Sequence, residues 1–302
     1  MRKEVRPTFT LTTAADTYSG TSGNDTINGY VDAAGTTDTL TGADTINGGT
    51  GTDTLNITTD GNAAGALPGA TITGVEVFSI REVGGTAGVY DFAALAGENS
   101  VINNVSTDQV TFDNLGAGTA VTVRGNATTT NGATVITMAA ATNAVNVTFD
   151  SGVTAGNFTV NSTGAKTVTI SSTGANNTVG TIDVDTATAT TGATINATTG
   201  LSAALAADYA ASTTLTIAGA ATNWAASTGA ARQAVDLRGA NLSANITKVD
   251  ASGLTAGGAA VGLGANTTSF IGGTGNDRVA VNALVFNGSA TVAAGDGSSD
   301  TL

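Results

Sequence analysis

Aspartates recur in this chain at a spacing of nine. Asp16 and Asp25 form one such pair, and Asp44 and Asp53 another. The second pair lies in two abutting units. The later unit, Gly48-Gly49-Thr50-Gly51-Thr52-Asp53-Thr54-Leu55-Asn56, fits the nonapeptide G-G-x-G-x-D-x-U-x, in which U is a large apolar residue. The earlier one ends Gly42-Ala43-Asp44-Thr45-Ile46-Asn47. Gly20-Thr21-Ser22-Gly23-Asn24-Asp25-Thr26-Ile27-Asn28 departs from the template only at its second position, and Gly272-Gly273-Thr274-Gly275-Asn276-Asp277-Arg278-Val279 matches through U. Looser copies, with one extra residue before the aspartate, end at Asp38 and Asp300.

The chemistry this pattern serves is capture of a hard cation. Glycine permits the positive φ of a tight turn and lets backbone carbonyls approach an ion. The aspartate adds an anionic oxygen. Ca²⁺ takes about 6–8 oxygens at about 2.3–2.6 Å in tolerant geometry, whereas Mg²⁺ demands a near-octahedral shell and keeps its waters. The candidate calcium ligands are therefore Asp16, Gly23, Asp25, Asp38, Gly42, Asp44, Gly49, Gly51, Asp53, Gly273, Gly275, Asp277 and Asp300, serving several Ca²⁺ ions. The competing reading is ordinary Asp-Gly turn chemistry between strands. Empty, such turns crowd carboxylates, so calcium is expected to couple to folding.

The elements that must hold these turns are short strands. The U residue turns inward, which predicts Tyr18, Ile27, Ile46 and Leu55 as core. Two units would make roughly one coil of a parallel β-roll, with neighbouring coils about 4.8 Å apart. Val121–Val123, Val145–Phe149, Phe158–Val160 and Val168–Ile170 alternate apolar and polar residues, the period of a half-buried strand. Gly, Asn or Ser-Thr-Gly punctuates them. Leu201–Ala211 and Trp224–Ala234 are Ala-rich and could hold short helical turns. Trp224, the only tryptophan, reads as a core cap or subdomain contact, with ligand stacking as the sharper alternative. The fold class expected is all-β: an elongated parallel β-solenoid with calcium-binding turns and at most a few helical turns.

Composition agrees. In 302 residues, 41% are hydrophobic but only 4% aromatic, and Gly occurs 41 times. Thin layers of small and β-branched side chains fit that better than a core of large ones. The net charge of −13 disfavours nucleic acid and anionic lipid as partners of the bulk surface. With no Cys, an extracellular chain must rely on repetition, metal or oligomerisation. With no His, the usual general base and transition-metal ligand are missing. No stretch of about 18 continuous apolar residues indicates a membrane span. Met1–Pro7 is basic but lacks a following apolar region, so a standard secretory signal is not expected; the segment belongs to a longer chain or is exported by another route.

The nonapeptides resemble those of RTX-type secreted proteins. The order of blocks resembles the Caulobacter-type surface-layer proteins: Thr10 to Thr26, then Asp44 to Asn56, then Leu67-Pro68-Gly69-Ala70-Thr71-Ile72-Thr73-Gly74-Val75-Glu76, with Val249–Thr255 and Gly272–Asp277 similar to later parts. The middle of the chain matches only in composition. The resemblance implies type I secretion, a calcium-stapled solenoid and assembly with copies of itself into a lattice at the cell surface. The family's lipopolysaccharide-anchoring module and its C-terminal secretion region have no counterpart here, so glycan or lipopolysaccharide attachment would fall to regions outside this chain. On this reading residues 1–10 are a tail or first strand. Residues 11–100 are an RTX-like β-roll with adjoining coils. Residues 101–270 are a Thr/Ala/Asn-rich solenoid, with or without a bend, and 271–302 a second calcium-binding segment cut within a repeat.

Rival readings remain. The same blocks occur in large secreted adhesins and biofilm matrix proteins. Parallel β-helices include polysaccharide-cleaving enzymes, but the clustered aspartates are accounted for by the calcium turns. Asp183 and Asp185, on one face of a strand, read more simply as a solvated face. An ice-binding solenoid would need regular Thr-x-Thr rows, and the pairs Thr167/Thr169, Thr186/Thr188 and Thr214/Thr216 are unevenly spaced. The sequence therefore favours a structural, non-enzymatic protein.

Overall fold

The computed structural model describes residues 7–61, 67–95, 97–139, 144–161, 167–185, 190–206, 209–226, 229, 231–281 and 291–302. Every regular element among them is a β-strand. The chain forms parallel sheets stacked as a β-solenoid, and its contacts divide it into two units: Met1–Arg124 with Asn131–Ala139, and Gly125–Thr130 with Ala140–Leu302.

In the first unit, one parallel ladder runs Thr8–Thr10, Thr26–Asp32, Thr54–Asp60, Val77–Val83, Ser100–Asn104, Ala120–Arg124. Each strand is reached after the chain has crossed to another sheet and back. The return strands are Thr17–Ser19, Thr45–Asn47 and Thr71–Thr73, and further along Gly88–Asp91, Val110–Leu115 and Thr134–Met138. Alternation along each strand sends one set of side chains inward. The in-phase register then stacks them into columns: Ile27, Leu55, Phe78, Val101 and Val121 lie one above another, all buried. Ile46 is buried as expected, while Tyr18 is half-buried and stacks on Phe9 at 4.8 Å.

The coil length differs from expectation. Thr17 faces Thr45 and Thr26 faces Thr54, so equivalent residues of the first coils are 28 apart, as in the Asn56–Asn28 side-chain bond. Two nonapeptides do not close a coil. The nine-residue spacing places one aspartate at each of two corners, and a longer connection completes the circuit.

In the second unit, one ladder runs Ala144–Asp150, Thr167–Thr173, Thr190–Ala197, Tyr209–Gly219, Ile246–Leu254, Ser269–Ile271, Thr291–Ala293. The other runs Phe158–Asn161, Asn177–Asp185, Leu201–Leu205, Val235–Asn241, Ala259–Gly262, Arg278–Ala280. Val147, Ile170, Ile195 and Ile217 form one buried column. The regular elements among the described residues of the two Ala-rich segments are strands, not helices. Leu201–Leu205 pairs with strands on both sides, and Trp224–Ala225 pairs antiparallel with Ala231–Arg232. Alanine's helix preference is small, and ladder pairing with burial of alternate residues overrides it. Residues 1–6, Thr186 and Thr188 lie outside the described residues.

Candidate metal centre

The aspartates of the nonapeptide turns stack into columns at the corners. Asp16 donates its backbone N–H to Asp44 Oδ1 at 2.8 Å, and Asp25 donates its own to Asp53 Oδ1 at 2.7 Å. The second column continues, because Asp53 N–H donates to Glu76 Oε2 at 2.8 Å. In the second unit Ala259 N–H donates to Asp277 Oδ1 at 2.6 Å, and Asp277 N–H to Asp300 Oδ1 at 2.8 Å. The physical reason is backbone satisfaction. Where a strand begins, the corner amide has no ladder partner, and a buried unpaired amide is costly. The carboxylate of the next coil supplies the acceptor. Asp25, Asp44, Asp53 and Asp277 are accordingly at most 1% exposed.

Most of these carboxylates also close their own turn. Asp16 Oδ2 accepts from Thr12 N–H at 2.6 Å, Asp25 Oδ2 from Thr21 N–H at 2.5 Å, Asp44 Oδ2 from Thr41 N–H at 2.6 Å, and Asp277 Oδ2 from Gly273 N–H at 3.2 Å. Asp53 does not. The residue four places before it is Gly49, held at φ 99°, and Gly49 N–H donates instead to Asn47 Oδ1 at 3.0 Å. Asp53 Oδ2 is buried and has no hydrogen-bond partner among the described residues. Burial pushes the Asp53 carboxyl above the usual carboxylate range. The Asp25 amide pulls the other way, and the charges of Glu76 and Asp25 push it further up.

A glycine is required beside that oxygen, because the backbone of the next coil closes against it. A Cβ on Gly48 would lie 1.9 Å from the Gly74 carbonyl oxygen and 2.7 Å from Asp53 Oδ2. Gly20 has the same surroundings one coil earlier, with the Gly48 carbonyl and Asp25 Oδ2. At Gly272 the Ala294 carbonyl and Asp277 Oδ2 take these places. Among the described residues no three carboxylates converge on one point. An ion here would be held by one or two carboxylates together with backbone carbonyls. Such a donor set would suit Ca²⁺.

The remaining expected ligands lie as follows. Asp38 is half-buried in the loop after Thr26–Asp32 and accepts from Asp32 N–H at 2.7 Å, outside the columns. A Cβ on Gly42 would lie 3.8 Å from the Gly69 backbone nitrogen, an ordinary contact. Gly23 N–H donates to Thr21 Oγ1, Gly51 sits at φ 132° against the Gly23 carbonyl, and Gly275 packs against the Gly257 backbone. Glu76 was missed. It precedes the strand Val77–Val83 as Asp53 precedes Thr54–Asp60, but the coil there is 23 residues and the acid is Glu. Asp183 shares a register row with Thr159; burial of Tyr209 raises its phenol, and the Asp183 charge adds to that. The Asp185 side chain lies outside the described residues.

A second buried acid lies inside the first unit. Glu82 is fully buried. Its Oε2 accepts from Tyr90 Oη at 2.5 Å, and its Oε1 has no partner among the described residues. Burial raises its carboxyl, hydrogen bonds with Thr59 and Tyr90 oppose that, and the charges of Asp108 and Asp60 add to it.

No helix among the described residues is long and apolar enough to cross a membrane. Compared with known proteins, the chain matches no family model, no curated protein and no solved structure.

Proposed function

We propose that this chain is a structural, non-enzymatic β-solenoid segment of a secreted protein, that it binds Ca²⁺ at its corners, and that it self-assembles into an ordered layer at a cell surface. One observation carries the calcium reading. The turn that matches the nonapeptide in full is also the one whose aspartate, Asp53, keeps a buried carboxylate oxygen without a partner among the described residues, beside Gly48, against which the Gly74 carbonyl closes. A cation there would neutralise the stacked charges of Asp25, Asp53 and Glu76, with Asp25, Asp53 and nearby carbonyls as its holders. Its chemistry is electrostatic cross-linking of successive coils. Asp16, Asp25, Asp44 and Asp277 spend both oxygens on amides and hydroxyls, although each oxygen keeps a second lone pair for an ion.

Calcium-linked folding explains the secreted reading: a chain that needs millimolar calcium stays soft where calcium is scarce and sets where it is plentiful. Among the described residues the strands Thr8–Thr10 and Thr291–Ala293 pair on one side only, and such ladder edges favour self-association. The test is a Ca²⁺ titration after EGTA treatment, followed by circular dichroism and negative-stain electron microscopy, with equimolar Mg²⁺ as control. The expected result is a Ca²⁺-selective gain of β-structure, then sheets or ordered arrays. Folding with calcium but without arrays at any concentration would replace the layer by a secreted adhesin. Structure and assembly indifferent to EGTA would overturn the calcium reading.

A further inference from the structure

In the second unit a cleft of about 590 Å³ opens beside the antiparallel pair Trp224–Ala225 and Ala231–Arg232. Its chemistry is unlike that of the rest of the chain. The protein has 23 acidic and 10 basic residues, yet two arginines, Arg232 and Arg278, line this cleft and none of its described lining residues is a carboxylate. Trp224, the only tryptophan, forms part of the wall, with the Arg232 guanidinium 5.6 Å from its ring centre. Asn223, Gln233, Asn276, Ser299 and Thr301 add amides and hydroxyls.

The arrangement is built, not incidental. Arg232 is fixed by Ser202 and by Asp236, which also pairs with Arg238 at 2.7 Å. Trp224 is seated on Gly200, where a Cβ would meet the indole at 2.3 Å. Arg278 is exposed and has no ion pair among the described residues, so its charge is uncommitted. Gln233 is 6% exposed, and its Oε1 has no hydrogen-bond partner among the described residues. A nucleic acid would meet the repulsion of the net charge of −13 over its length, whereas a short ligand meets only the local field.

We propose that this cleft binds an anionic saccharide. The indole and the Arg232 guanidinium beside it form the wall against which a sugar ring packs. Arg278 holds the ring's carboxylate or sulfate, a group the guanidinium fork matches in geometry. Asn223, Gln233 and Asn276 serve the hydroxyls. None of the cleft residues is itself a corner carboxylate, although Asn276, Arg278, Ser299 and Thr301 flank Asp277 and Asp300.

Because Trp224 is the sole tryptophan, its fluorescence reports the cleft directly. The full chain would be titrated in calcium buffer with hexagalacturonate and with a sulfated hexasaccharide, which separate carboxylate from sulfate recognition. Maltohexaose and polyglutamate are the neutral-sugar and non-sugar controls. Saturable change with at least one anionic saccharide is expected, and little with either control. Arg278→Ala should weaken that binding at least about tenfold with an unchanged melting temperature, and calorimetry on Trp224→Phe should show a loss of similar size. No saturable response to either anionic saccharide, equal binding of maltohexaose or polyglutamate, or undiminished binding by Arg278→Ala would overturn the proposal.

Discussion

At the scale of single residues, Asp53 and Glu82 are opposite cases of one problem, a carboxyl group inside a thin solenoid. Asp53 sits in a column of like charges, with one oxygen idle. Asp53→Asn keeps an oxygen for the Asp25 amide and removes the charge. In EGTA this variant should be more stable than the parent by about 1 kcal/mol, because a buried unpaired charge is costly. In Ca²⁺ the order should reverse, as the variant loses the calcium-dependent gain; urea unfolding under both conditions reads the crossing. Glu82 has no such escape. Its folded-state pKa is raised, so the folded chain holds the proton more tightly than the unfolded one. Its contribution is therefore fully present below about pH 4.5 and is lost as pH rises through the elevated folded value. Glu82→Gln should flatten that decline and raise the urea midpoint at neutral pH. An equal slope in both proteins would mean that Glu82 does not titrate in the window.

At the scale of elements, coil stacking decides what each corner tolerates. Gly48 lies under the Gly74 carbonyl, so Gly48→Ala must force two coils apart and should cost about 3 kcal/mol, the upper range for overpacking. Gly69 has nothing within 4 Å of its Cβ position, and Gly69→Ala should change stability by no more than about 0.5 kcal/mol. Thermal melts of the two variants check both. The same stacking explains what the sequence made legible. Alternation in Val145–Phe149 and Val168–Ile170 reports a strand locally, and both are strands in register. The corner aspartates were readable because glycine and aspartate mark tight turns by type. Coil length was not, since it depends on which distant residues pair: the spacing of nine was visible, but that of 28 emerges only from register. The Thr12, Thr21 and Thr41 bonds were hidden for a related reason. The template draws the eye to glycine, while the residue that commits the carboxylate is a threonine three or four places earlier. The Ala-rich segments misled because small side chains suit either a helix or a closely stacked strand.

At the scale of the whole molecule, the two units meet the cost of corner carboxylates differently, and calcium dependence should follow that difference. In the first unit the column of Asp25, Asp53 and Glu76 leaves a buried oxygen idle. In the second, Asp277 has both oxygens engaged, by Ala259 and Gly273, even though burial and Asp300 raise its carboxyl. A solenoid transmits stability between neighbouring coils, so loss of an ion loosens the coils nearest to it most. Hydrogen exchange with and without EGTA should therefore show protection lost in Thr45–Asn47, Thr54–Asp60 and Val77–Val83, and largely kept in Thr167–Thr173, Thr190–Ala197 and Tyr209–Gly219. In EGTA, unfolding should separate into two steps, and in Ca²⁺ the first step should move toward the second. Uniform loss of protection across both units would place the calcium-dependent contacts elsewhere than at Asp53. Loss confined to the strands around Asp277 would transfer the site to the second unit, where the Ala294 carbonyl and Asp277 Oδ2 flank Gly272 in the same manner.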